Sequence, residues 1–195
     1  MKNRIPFLAI ALAGSLVATA QTNFRQTAEA SVTIAGTSTM HDWTMTSKDV
    51  NCQADFVLNA DGAPTQLQRL SVTIPAESLK SHKDGMDKNA YKALKTSQHK
   101  TISFQLGNAT VQGNNITASG SLTISGVTQK IELQATCLTQ ADKSIRCTGK
   151  KDLNMTDYQV EPPTFMFGSI KTGNAITLTF DVKLAAKPVS MNSNP

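Results

Sequence analysis

Between Gly120 and Leu133 the chain reads GSLTISGVTQKIEL, and Leu122, Ile124, Ile131 and Leu133 fall at every second position among Ser, Thr, Lys and Glu. A period of two puts one class of side chain on one face of an extended strand and the other class on the opposite face, whereas a helix would scatter both around its circumference. The pattern returns in LQRLSVTIP, with Leu70, Val72 and Ile74, and in TISFQLGNATVQG, with Ile102, Phe104 and Leu106. It is cleanest in AITLTFDVKL, where Ile176, Leu178, Phe180, Val182 and Leu184 share a face. With SVTIAGTST, CQADFVLN, KIELQATC and IRCTGKKDLNM, about eight strands are expected, turning at GNN, at GVTQ and around Asp142. HDW, residues 41–43, reads as a bend between the first two, and YQVEPPTFMFGSIKTGN as an irregular connection before the last.

Strands joined by hairpins, apolar on one side and polar on the other, form an antiparallel sheet wet on one face. Such a sheet has exposed edges, and closing into a barrel removes them. The expected fold is therefore all-β, an antiparallel eight-stranded barrel. One segment departs from the period: GMDKNAYKALKT sets Met86, Ala90, Tyr91 and Leu94 at helical spacing, in residues that favour helix. This short helix is placed to cap one end of the barrel.

Residues 1–20 are read as a signal peptide rather than as part of the fold. Lys2 and Arg4 precede an apolar run from Phe7 to Val17, and Ala18-Thr19-Ala20 supplies small residues for cleavage. The run is about a dozen residues, where a membrane span needs about 20. The barrel domain is then residues 21–184, and 185–195 form a patternless tail expected to be disordered. Loss of Lys2 and Arg4 takes the net charge from +5 to +3, and the remaining charges are mixed along the chain. That distribution argues against a nucleic-acid partner, and no other apolar run could span a membrane.

Cys137 and Cys147 lie equally far from Asp142 in a hairpin, so they face each other, and export makes a bridge plausible. The alternative is two reduced, half-buried thiols. Cys52 is left over, either buried or free.

An inner face of Ile, Leu, Val and Phe with few charges in phase raises one functional question. If the barrel is hollow, the cavity is dry and suits a long hydrocarbon, since each buried methylene contributes about 0.8 kcal/mol. If the side chains meet in the middle, the protein is a ligand-free structural or stress-response interaction module. Alternation alone leaves both open.

Sharper chemistry is disfavoured. Ser38, His41 and Asp42 could suggest a hydrolase, but neighbours on a strand point to opposite faces, so His41 and Asp42 cannot readily cooperate. His82, Asp84, Asp87 and His99 match no metal-site spacing. No enzyme activity and no metal are expected. Lys80, Lys83, Lys88, Lys92 and Lys95 give the helix region a basic face, either simply solvated or turned toward a pyrophosphate or an acidic lipid surface.

Three stretches in order resemble the YceI-like polyisoprenoid-binding family: NAYKALKTSQHKTISF, GSLTISGVTQKIEL and MTDYQVEPPTFMFGSIKTGNAITLTFDVKL. The similarity runs from about Ser31 to Leu184. It implies a lipocalin-like, extended barrel, exported to the periplasm or secreted, holding an isoprenoid lipid or quinone tail without catalytic residues and with no other cofactor. Mapped onto this chain, the ligand-binding wall is Leu70, Val72, Ile74, Ile102, Phe104, Leu106, Leu122, Ile124, Ile131, Leu133, Ile176, Leu178 and Phe180. Met86, Tyr91 and Leu94 face it from the helix, and Phe165, Met166 and Phe167 are candidates for an adaptable gate. The partner implied is an amphiphilic isoprenoid lipid; whether the protein pairs with itself as a homodimer is left open.

Overall fold

The computed structural model describes residues 21–186. The leader expected over residues 1–20 lies outside them, as do residues 187–195 of the expected tail.

The alternating segments form strands as their periodicity requires: β1 (Gln21–Ser38), β2 (Trp43–Ser47), β3 (Asn51–Leu58), β4 (Pro64–Pro75), β5 (Thr101–Gln112), β6 (Asn115–Ile124), β7 (Val127–Thr139), β8 (Ile145–Asn154), β9 (Thr164–Phe165) and β10 (Ile170–Ala186). Consecutive long strands pair antiparallel, β8 passes to β10, and β10 pairs with β1 to close the sheet. Eight of the strands, all but the short β2 and β9, make a closed antiparallel barrel. The edge problem is thus solved by closure.

Four boundaries differ from the sequence reading, each for a local reason. β1 begins ten residues before Ser31, because its first half pairs with β3 and with the end of β10 although its only bulky apolar residue there is Phe24. A register shift between Gln26 and Ala30 breaks its alternation. The bend falls at Thr39 and Met40 rather than over residues 41–43, and β2 starts at Trp43 and continues the wall beside the second half of β1. β10 begins at Ile170 inside the segment read as irregular; its Gly173, which suggests a break, is instead where the strand passes tightly against the Thr37 side chain. At its other end β10 runs to Ala186, with Ala185 and Ala186 paired to Arg25 and Phe24, so these two residues belong to the strand rather than to the expected tail.

The interior divides into two packed groups. One closes the bottom around Phe24, Phe56, Ile145 and Leu184, with the Phe24 and Phe56 rings edge to face at 5.6 Å. The other lies at the opposite end under helix α1 (Asp84–Leu94) and includes Leu79, Phe104, Leu122, Ile124 and Tyr158. Cys137 and Cys147 are directly opposite in the β7–β8 ladder and are joined as a disulfide. Cys52 is buried and free.

Helix α1 is held over its end of the barrel from two sides. The Tyr91 hydroxyl donates to the carbonyls of Glu77 and Leu79, at 2.8 and 2.9 Å, tying the helix to the end of the β4 connection. At the helix start Asp87 accepts from the Ser81 N–H at 2.8 Å and from the Ser81 hydroxyl at 2.6 Å. Burial opposes the charge on Asp87, but these hydrogen bonds and nearby Lys80 hold its pKa below the ordinary carboxylate value. His99 packs over Gly126 in the β6–β7 turn.

Candidate functional site

The barrel is hollow. Its lumen holds a cavity of about 130 Å³ whose lining is almost wholly carbon. Leu70, Val72 and Ile74 of β4, Ile102 and Phe104 of β5, Leu122 of β6, Ile131 and Leu133 of β7, and Leu178 and Phe180 of β10 all line it. A second chamber of about 430 Å³ lies at the mouth beneath α1, and Ile102 borders both. Its walls include Met86 and Leu94 of the helix, Ile124, Ile176 and Phe165.

Three residues expected at the site lie elsewhere. Tyr91 faces the β4–α1 connection, where its hydroxyl is spent on two carbonyls, and it borders neither chamber. Leu106 packs against the bottom core without reaching either cavity, since a register shift between Leu106 and Asn108 bends β5 there. Phe167 stands fully exposed at a left-handed kink, φ 56°, and borders neither chamber. The Met166 side chain lies outside the described residues.

Other wall residues escaped the sequence reading. Leu67 points inward three residues before Leu70, because a bulge at Gln68 interrupts the alternation of β4. Met45 reaches the mouth chamber from β2, beside Trp43, which the sequence does suggest as a core or mouth residue. Met155, Tyr158 and Val160, in and after a turn of 3-10 helix at Met155–Tyr158, have no period-two signal at all. Cys52 also lines the lumen, and burial pushes its thiol pKa up to about 12.

Small residues make room for large ones on the inner face. Gly149 is paired with Phe180 across the β8–β10 ladder, and a side-chain carbon at 149 would collide with both that ring and the Gln134 carbonyl. Gly120 stands in the same relation to Phe104 and the Gln105 carbonyl. The tip of each ring therefore rests over a glycine of the wall. This explains the glycine at the head of the stretch GSLTISGVTQKIEL.

The wall is not complete on every side. The β7–β8 ladder ends at Gln134 and Lys150, so the stretch 130–133 of β7 and the stretch 151–154 of β8 run past each other without pairing. Each strand is fully paired on its other side, to β6 and to β10. Beyond the gap the Gln129 side chain donates to the Asp157 carbonyl at 2.8 Å and draws the wall together again. A groove lies outside the gap, and Ile131, Lys151 and Leu153 line both groove and lumen.

The hydrolase arrangement considered from Ser38, His41 and Asp42 is not assembled. The Ser38 hydroxyl donates to the His41 carbonyl at 2.7 Å, and the His41 ring Nδ1 lies 2.7 Å from the carbonyl of Asp42 rather than from its carboxylate. Among the described residues no group of three or more His, Cys, Asp or Glu side chains could hold a metal ion, and no helix is long and apolar enough to cross a membrane.

A family model described as the YceI-like domain matches residues 24–184, from within β1 to within β10. This chain belongs to the YceI-like family. None of the curated proteins matches it by sequence. Among solved structures, this YceI-like chain is similar to Burkholderia cenocepacia BcnA at 12% identity, covering 80% of this chain and 96% of that one, with a TM-score of 0.67. It is also similar to a polyisoprenoid binding domain from Saccharophagus degradans implicated in plant cell wall breakdown, at 11% identity, 86% and 100% coverage and a TM-score of 0.65. A Campylobacter jejuni YceI protein matches at 17% identity, 95% and 93% coverage and a TM-score of 0.58. At these identities the shared property is the YceI-like fold.

Proposed function

We propose that this protein is an exported carrier that shelters the hydrocarbon tail of an isoprenoid lipid or quinone inside its barrel. The observation that carries the reading is the apolar lumen meeting a larger chamber under α1, within a YceI-like domain. The Saccharophagus neighbour, named for polyisoprenoid binding, supports the ligand class. Burying each methylene of a tail contributes about 0.8 kcal/mol, so a chain of a few isoprene units is held without any polar anchor. Export to the periplasm or beyond is supported by the leader-like residues 1–20 and by the Cys137–Cys147 bridge, which suits an oxidising compartment. The geometry supports binding rather than hydrolysis by Ser38 and His41, because the Ser38 hydroxyl and the His41 ring at the mouth are engaged with backbone carbonyls.

Native mass spectrometry of protein purified from its own cells, followed by organic extraction, tests this directly. The expected result is a lipid of isoprenoid type that leaves with the solvent. Recovery of no lipid, together with failure of apo protein to take up geranylgeraniol, would favour the ligand-free module.

A further inference from the structure

We propose that the gap between β7 and β8 is a side window through which the lumen's lipid presents an anionic head group, with the Lys151 ammonium as its counter-charge. This rests on the carrier reading above and adds where the head lies and what charge it bears.

The lumen is narrow and nearly all carbon, so a solvated head group must stay at an opening. Two openings are formed by the described residues, the chamber under α1 and the unpaired stretch between β7 and β8. Among the described residues Lys151 is the one charged side chain bordering the lumen, and it borders the outer groove as well. Among the described residues it forms no ion pair. A half-buried cation without a partner, at the edge of an apolar tube, is relieved by an anion placed at the same edge.

A second group points to the same place. Tyr158, only 2% exposed, lines the groove, and its hydroxyl has no hydrogen-bond partner among the described residues. Lys130 completes the basic side of the groove. Two carboxylates stand nearby: Asp152 accepts from the Thr177 hydroxyl at 2.7 Å, and Asp157 accepts from the Asn154 amide at 3.4 Å. The groove as a whole is therefore balanced in charge, and selection for an anion falls on Lys151, the charged residue among the three that border both groove and lumen. A phosphate and a carboxylate head share this chemistry.

The experiment compares geranylgeranyl phosphate, geranylgeraniol and palmitate on wild-type protein and on Lys151→Gln, with binding followed by calorimetry. Geranylgeranyl phosphate is expected to bind Lys151→Gln about tenfold more weakly than wild type, the scale of one charge-assisted hydrogen bond, while geranylgeraniol binds both alike. An equal loss for palmitate would assign the site to anionic heads in general, and a loss for the phosphate alone would assign it to phosphate. Acetylation footprinting of wild-type protein is independent of the variant's folding: bound geranylgeranyl phosphate should protect Lys151 and leave Lys83, at the mouth, reactive. Protection of Lys83 instead, or an unchanged phosphate affinity in a folded Lys151→Gln, would overturn the window while leaving the carrier reading intact if geranylgeraniol binds. Failure of every probe to bind wild type would overturn both.

Discussion

Replacing Ala118 by Leu would separate a hollow barrel from a filled one, because the two give opposite signs. Ala118 is buried on the inner face of β6, between Ala109 and Leu133, and borders the lumen cavity. An empty apolar cavity weakens a fold by about 24 cal/mol per Å³, so the whole of this 130 Å³ space lowers stability by about 3 kcal/mol. Leucine adds three carbons and fills roughly half of it, which should stabilise the apo protein by about 1–2 kcal/mol. The same carbons displace roughly three methylenes of a bound tail, at about 0.8 kcal/mol each, and so weaken lipid binding by about fiftyfold. Urea unfolding of delipidated protein and titration with geranylgeraniol read the two effects. A variant destabilised by more than about 1 kcal/mol would mean that side chains already meet at this point, as in an overpacked core. A stabilised variant with unchanged affinity would mean that the tail does not reach Ala118.

Gly149→Ala should destabilise the protein by about 1–3 kcal/mol, because the new carbon meets both a backbone carbonyl and the Phe180 ring, and the carbonyl cannot swing away; chemical denaturation checks this. Removing the disulfide by Cys137→Ala with Cys147→Ala should lower stability by about 2–3 kcal/mol from the loop it closes, seen as a lower urea midpoint. Cys52 should resist a thiol reagent at pH 8 until the protein unfolds, since its pKa is raised to about 12. The sign of its pH effect follows: the neutral thiol's contribution is complete below the unfolded value near 9 and is lost as pH rises toward 12. A rising melting temperature over that range in wild type, relative to Cys52→Ala, would contradict it.

Much of the wall was legible because each long strand is half wet and half dry. In Leu70–Ile74 or Ile176–Leu184 the hydrophobic period leaves one choice of inward face, and a slip by one residue would turn every apolar side chain to water. The cysteine pairing followed from the same logic, two positions equidistant from a turn. Where the period breaks, the reading broke with it. The bulge at Gln68 hid Leu67, the register shift beyond Leu106 removed that residue from the cavity, and the 3-10 turn carrying Tyr158 has no strand signal. Tyr91 was expected to face the lumen from the helix and Phe167 to form part of an adaptable gate, but one found backbone acceptors and the other stands exposed at a left-handed kink.

The sequence by itself determined which side of most ribbons is oily, that eight of them build the barrel, and that a lone α-helix interrupts them. Whether the oily sides interlock or stand apart was decided only by closure of β1 onto β10 and by two inner glycines over which the tips of aromatic rings rest. The opening beside Lys151 is likewise a matter of where a ladder stops, and pairing between strands depends on the positions of both partners, which no single segment encodes.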